Sequence, residues 1–171
     1  MSKIWVPVAL LALFVIACSK KSSSGTSLDA ADQQFVTSAG YHNVDEINAG
    51  YLASTNAADS AVKKFAMKMV DDYGAAHSAL ILVADSFHFA VVSSPDSAYV
   101  LYLNQLSNLK ATTFDTTYLR GQINDDQAAI SLYQAEQSKG GNAAIKAYAN
   151  TYLPMIQAHL SAADSLLQAG H

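Results

Sequence analysis

The chain has 171 residues, enough for one ordinary domain with a sizeable core. Ten Lys and Arg against fourteen Asp and Glu leave a net charge of −4 with no basic stripe, which argues against nucleic acid as a partner. The composition is rich in Ala, Leu, Gln and Ser with scattered Val and Ile, favouring helices over sheet. The single cysteine, Cys18, excludes an internal disulfide and a thiolate metal site.

The first segment is a targeting signal. Lys3 supplies a positive charge, and Ile4 to Ala17 form an apolar run broken only by Pro7. A run of about fourteen residues is too short to cross a hydrocarbon core of about 30 Å as a helix, so it reads as a signal-peptide core. Val15-Ile16-Ala17-Cys18 resembles the bacterial lipobox, after which the signal is removed and the cysteine is acylated. The competing readings are an uncleaved anchor and a signal cut elsewhere. The Ser/Gly-rich stretch that follows Cys18 behaves as a flexible tether. The expected organisation is a signal over 1–17, a tether over 18–27 and a helical domain over 28–171. Multiple acyl chains hold a protein firmly on a membrane. Ser19 after the acylated cysteine fits sorting to the outer membrane, on either face.

Four long helices and one short one are expected. Helix A runs from about Asp29 to Thr55. Helix B follows Asn56 as N-cap, with Asp59 in its first turn. Its Val62, Phe65, Met69, Tyr73, Ala76, Leu80, Val83 and Phe87 keep the three-four spacing of a buried seam. Ser94-Pro95-Asp96 opens a short helix, with Ser94 as N-cap and Pro95 as its first residue, reaching about Leu109. Helix C spans about Phe114 to Ser138 and stops at Gly140-Gly141. Asn142 caps helix D, which reaches about Gln168 and is expected to bend at Pro154.

A faint internal repeat relates helices B and D: Val62-Lys63-Lys64-Phe65-Ala66 returns as Ile145-Lys146-Ala147-Tyr148-Ala149. Two similar hairpins joined by a long connection carrying a short helix make a ferritin-like four-helix bundle. A plain up-down-up-down bundle is the alternative.

Each seam is interrupted once by a polar residue. Glu46 falls on the inner stripe of helix A among Phe35, Ala39, Ala49 and Ala53. Tyr73 does so on helix B. Asp126 lies among Leu119, Ile123, Ile130 and Tyr133 on helix C, and His159 among Tyr152, Ile156, Ala163 and Leu166 on helix D. A buried carboxylate costs several kcal/mol unless it is paired, hydrogen-bonded or neutralised, so these groups should meet one another or a ligand. The first reading is a buried network in which Tyr73 and His159 satisfy Glu46 and Asp126. The alternative is a weak metal site for iron, manganese or zinc held by Glu46, Asp126 and His159. A di-iron centre of the usual ferritin-like type needs Glu-x-x-His on two helices. This chain has none, and only two glutamates, Glu46 and Glu136.

His42, one turn before Glu46, reads as part of a solvated surface pair; His77 borders the B seam, and His88 lies near a helix end. Gly121 is placed to allow close packing on helix C, and the nine tyrosines read as core or boundary residues. No Ser-His-Asp arrangement or glycine-rich phosphate loop is present, so no catalytic activity is expected.

Several of these residues together resemble a bacterial family of exported proteins of unknown function with a ferritin-like fold. The carriers are Phe35, Glu46 and Leu52-Ala53, then Val62-Lys63-x-Phe65-Ala66-x-x-Met69-Val70-x-Asp72. Phe114-Asp115-x-x-Tyr118 and Leu153-Pro154-x-x-x-x-His159-Leu160 complete the match. The resemblance implies a histidine after Asp72 and another eight residues after Tyr118, where this chain has Tyr73 and Asp126. Only His159 remains of that pattern. A non-catalytic, membrane-tethered envelope domain is therefore expected, one that supports the envelope or binds a partner, such as an envelope protein.

Overall fold

The computed structural model describes residues 27–170. The expected signal, Cys18 with its expected acylation, nearly all of the expected tether and His171 lie outside the described residues. The described residues form five helices: α1 (Ala30–Asn56), α2 (Ser60–Asp85), α3 (Ser97–Ser107), α4 (Ala111–Lys139) and α5 (Ala143–Gln168).

Short loops pair α1 with α2 and α4 with α5 as two extensively packed hairpins. The hairpins meet through α2 against α5 and α1 against α4. The chain therefore crosses the bundle diagonally between α2 and α4, and α3 lies on that crossover, packed on α1 and α4. This is the ferritin-like arrangement. The repeat is visible in the core, where Val62 and Ile145, Phe65 and Tyr148, and Ala66 and Ala149 are all buried.

Helix starts differ from expectation in three places. Asn56 ends α1 instead of capping α2, and Asp59 is the cap, accepting from the Ala61 N–H at 2.6 Å. The intervening N–H groups of Ala58 and Asp59 are taken by the Asp115 carboxylate at 2.9 and 2.8 Å, which holds them out of the helix. The cap of α3 is Asp96 instead of Ser94. Its own N–H donates to Asp45 Oδ1 at 2.9 Å, so regular helix begins only after it. Helix α4 starts at Ala111, three residues before the expected Phe114.

Helix α5 runs unbroken through Pro154. The ring removes one hydrogen bond and frees the Asn150 carbonyl, but both residues are exposed, where water can accept the loss. Gly50 lets α1 and α2 approach closely: a Cβ there would meet Val70 Cγ2 at 2.7 Å and the Ala66 carbonyl at 2.8 Å.

Candidate functional site: a buried acid cluster behind an acidic cleft

Glu46, Tyr73, Asp126 and His159 are all buried, one from each long helix. The Tyr73 hydroxyl donates to Asp126 Oδ1 at 2.8 Å. His42, read from sequence as solvated, instead reaches inward, with Nε2 3.1 Å from the Tyr73 oxygen and Nδ1 3.9 Å from Glu46 Oε1. Since the Tyr73 proton is committed to Asp126, Nε2–H of His42 is the donor to Tyr73. Burial, then the nearby His159, holds the His42 imidazole down to about 4, so the ring is neutral.

His159 departs from the expected network. Its ring lies against Tyr73 with centroids 5.2 Å apart, but Nε2 bonds Asp72 Oδ2 at 2.7 Å, at the α2–α5 boundary. Tyr73 already occupies the inward direction, and Asp72 offers a half-buried carboxylate that Lys68 also grips at 2.7 Å. Glu46 and Asp126 are thus left without the imidazole assigned to them. Both Glu46 oxygens and Asp126 Oδ2 are buried with no hydrogen-bond partner among the described residues. The Gln122 amide lies near enough to Glu46 to temper the rise in its pKa, yet neither of its polar atoms forms a hydrogen bond.

Burial is the main cause of the resulting shifts. It drives Glu46 well above the usual carboxylate range, with the charges of Asp126 and Asp125 adding to the effect. It raises Asp126 to about 7, against the stabilising bond from Tyr73. Among the described residues no three His, Cys, Asp or Glu side chains converge to hold a metal ion, so the set Glu46, Asp126 and His159 does not form a ready-made site.

A cleft of about 640 Å³ opens on the other side of the cluster, between α1, α3 and α4. Asp45, Asp96 and Asp125 line it, with Tyr41, Tyr99 and Tyr102. Burial raises Asp45 to about 7; the Asp96 N–H opposes this, and the charges of Asp96 and Asp125 reinforce it. Burial also raises Asp125, whose Oδ2 accepts from the Tyr99 hydroxyl at 3.3 Å. Gly121 makes room for the Tyr102 hydroxyl, which a Cβ at that position would overlap.

Residues 17–166 match the family described as a domain of unknown function, DUF4142. The chain belongs to the DUF4142 family. No curated protein matches it. Its fold resembles a DUF305 fragment from Deinococcus radiodurans, with a TM-score of 0.74 and 10% identity, over 84% of this chain and 99% of that one. It also resembles CopM in the Cu(I)-bound form, with a TM-score of 0.68 and 17% identity, over 81% of this chain and 96% of that one.

In this DUF4142 chain several important residues escaped the sequence reading. The helix C seam is centred on Gln122, Asp126 and Ala129, while Ile123 and Ile130 flank it half-buried. Asn43 is fully buried, donating to the Tyr148 hydroxyl at 3.0 Å, which in turn reaches the Ala76 carbonyl at 3.2 Å. A polar residue one turn after Ala39 on a seam of small residues was the available signal. His77 is half-buried with no partner at Nδ1, and burial lowers its basicity. His88 is exposed in the turn after α2 at φ 55°.

Proposed function

We propose that this DUF4142 protein is a non-catalytic binding domain tethered to the bacterial envelope through acylated Cys18, with the α1–α3–α4 cleft as its binding site. The cleft is the observation that carries the reading. Its size falls within the range of about 300–1,000 Å³ common to small-molecule sites. Perturbed carboxyls cluster at functional sites, and Asp45 and Asp125 line this one. The lone cysteine after a short apolar run supports the anchor, and Ser19 supports the outer membrane.

The test uses the full chain in a bacterial host and in detergent. Wild type should sediment with membranes, and Cys18→Ser should not. Small molecules extracted from the envelope should then shift the ring NMR signals of Tyr99 and Tyr102 but not that of the exposed Tyr51. Unmoved cleft signals would overturn the binding reading.

A metal-binding bundle is the second reading, favoured by the unpartnered oxygens of Glu46 and Asp126. CopM carries Cu(I), but a soft ion wants sulfur, and here Met69 lies in the core while Met67, two residues earlier, is exposed. Oxygen and imidazole donors suit iron, manganese or zinc instead. Stoichiometric metal in protein purified without chelator, lost in Glu46→Gln, would support this reading, and metal-free wild type would remove it.

A further inference from the structure

We infer that the cleft between α1, α3 and α4 takes a small organic cation, an alkylammonium group held between the Asp45, Asp96 and Asp125 carboxylates and the rings of Tyr99 and Tyr102. This inference rests on the binding reading above and names its ligand class.

The charge is one-sided. Three carboxylates line the cleft, and among the described residues no lysine or arginine does. The one imidazole there, His42, is neutral and already bonded to Tyr73. Asp45 and Asp96 each spend one oxygen on a backbone N–H, of Asp96 and Ala98 respectively. Among the described residues Asp125 has only the long bond from Tyr99. Each of the three therefore keeps acceptor capacity for a donor from outside.

A second, independent observation comes from behind the cleft wall. Glu46 is fully buried with both oxygens unpartnered, and its carboxyl feels Asp125 and Asp45 and in turn acts on Tyr99 and Tyr102. The Tyr102 hydroxyl oxygen is also buried without a partner over Gly121. Glu46 does not itself line the cleft, so a positive charge there acts on it through the field, favouring the ionised forms of Asp45, Asp125 and Glu46 together.

The nature of the cation follows from size and shape. The space of about 640 Å³ is far larger than a bare ion, and the acids do not converge as metal ligands do. The Tyr99 and Tyr102 rings, 5.3 Å apart and tilted, present aromatic surface beside the acids. An ammonium with an apolar body uses both features, through ion pairing and through attraction to the ring faces.

The experiment is calorimetric titration of the full-length acylated chain in neutral detergent at fixed ionic strength. The probes are choline, 1,5-diaminopentane, the neutral choline isostere 3,3-dimethyl-1-butanol, and magnesium chloride. The expected result is 1:1 binding of at least one ammonium probe, at least tenfold weaker binding of the neutral isostere, and no displacement by magnesium. Asp125→Asn, which keeps an acceptor for Tyr99, should weaken binding at least tenfold. Asp71→Asn, on the exposed face of α2, should leave it unchanged. Melting curves confirm that both variants are folded, and Tyr102→Leu supplies a second variant that keeps every charge and should also weaken binding. Binding that ignores Asp125→Asn, or a neutral isostere that binds as well as choline, overturns the inference. If no ammonium probe binds while the extract still moves the Tyr99 and Tyr102 signals, the cation class fails and the cleft stands. If neither occurs, both fail.

Discussion

The loop ends and the middle of this bundle both bury carboxylates, and they treat them oppositely. At the ends, Asp115 on α4 accepts two N–H groups from the α1–α2 loop, and Asp32 on α1 accepts from Gly141 and Asn142 in the α4–α5 loop at 3.0 and 3.3 Å. Each clamps the turn of one hairpin to a helix of the other, so the loop N–H groups are satisfied without water. In the middle, Glu46 and Asp126 hold one conventional bond between them, from Tyr73. Asp115 and Asp32 are thus fasteners at the ends and Glu46 and Asp126 an uncompensated load at the centre, while Glu136 beside Asp32 keeps one buried oxygen in the central condition. Partners decide the difference, since burial is nearly complete in both places.

The largest expected effect breaks a fastener. Asp115→Ala strands the N–H groups of Ala58 and Asp59, and each unsatisfied donor costs about 1–3 kcal/mol. Chemical denaturation should show a loss of about 3–5 kcal/mol with an unchanged denaturant slope. Asp115→Asn keeps one acceptor and should lose about half as much. A loss below about 1 kcal/mol for the alanine variant would mean that the clamp does not hold the loop.

A second test sharpens the contrast through pH. Asp126 and Asp45 are raised to about 7 and Glu46 well above its usual range, so between pH 4 and 7 the unfolded chain holds fewer protons than the folded one at these sites. Stability from these groups is fully present below pH 4 and is lost as pH rises through 7. His42, lowered to about 4, acts the other way: its contribution is present above 6.5 and lost as pH falls through 4. Three carboxyls outweigh one imidazole over the window they share, so melting temperature should fall along an alkaline limb from about pH 4 to about pH 7. Asp126 alone should account for on the order of 4 kcal/mol of that loss, since its rise from 3.8 to about 7 is about three tenfold steps of about 1.4 kcal/mol each. Asp126→Asn should flatten the alkaline limb. An alkaline limb unchanged by that substitution would count against the central cluster as its source.

Glu46 gives a third, smaller test. Glu46→Leu fills similar volume without a carboxyl and should be neutral or stabilising by about 1–2 kcal/mol at pH 8. Glu46→Ala removes the charge but leaves a cavity, and should be less stable than the leucine variant by about 1–3 kcal/mol. Reversal of that order in thermal melts would show that the carboxyl has a partner worth keeping.

These contrasts also mark what the sequence could carry. Hydrophobic period revealed the helices and the inward placement of Glu46, Tyr73, Asp126 and His159, because one buried polar residue on a three-four seam is a local signal, and the internal repeat pointed to the pairing into hairpins. The partners were not local. His42 and His159 each had two directions to turn, and the choice depended on Tyr73 filling the space between them. Asp115 falls at the expected start of helix C, where an acid belongs anyway, and only the observed start at Ala111 moves it past the first turn and leaves its carboxylate free to act as a clamp. The cleft was hidden for a related reason. It arises from how α3 folds back on α1 and α4, and residues from three separate segments meet only there.

The smallest expected effect concerns Asp72, which spans the contrast within one side chain. Its inner partner His159 is 2% exposed, and its outer partner Lys68 is 63% exposed. Both grip Oδ2 at 2.7 Å, so equal distances give no reason to rank them. Solvent does, because an exposed i, i+4 pair is worth only about 0.3–0.5 kcal/mol. Lys68→Ala should therefore cost less than about 0.5 kcal/mol, and salt should erase even that, as screening acts on the exposed pair. His159→Ala should cost several times more, because it opens a cavity beside Tyr73 and leaves Asp72 without its buried donor. Equal losses in the two variants would mean that distance, and not burial, sets the strength of a carboxylate contact in this bundle.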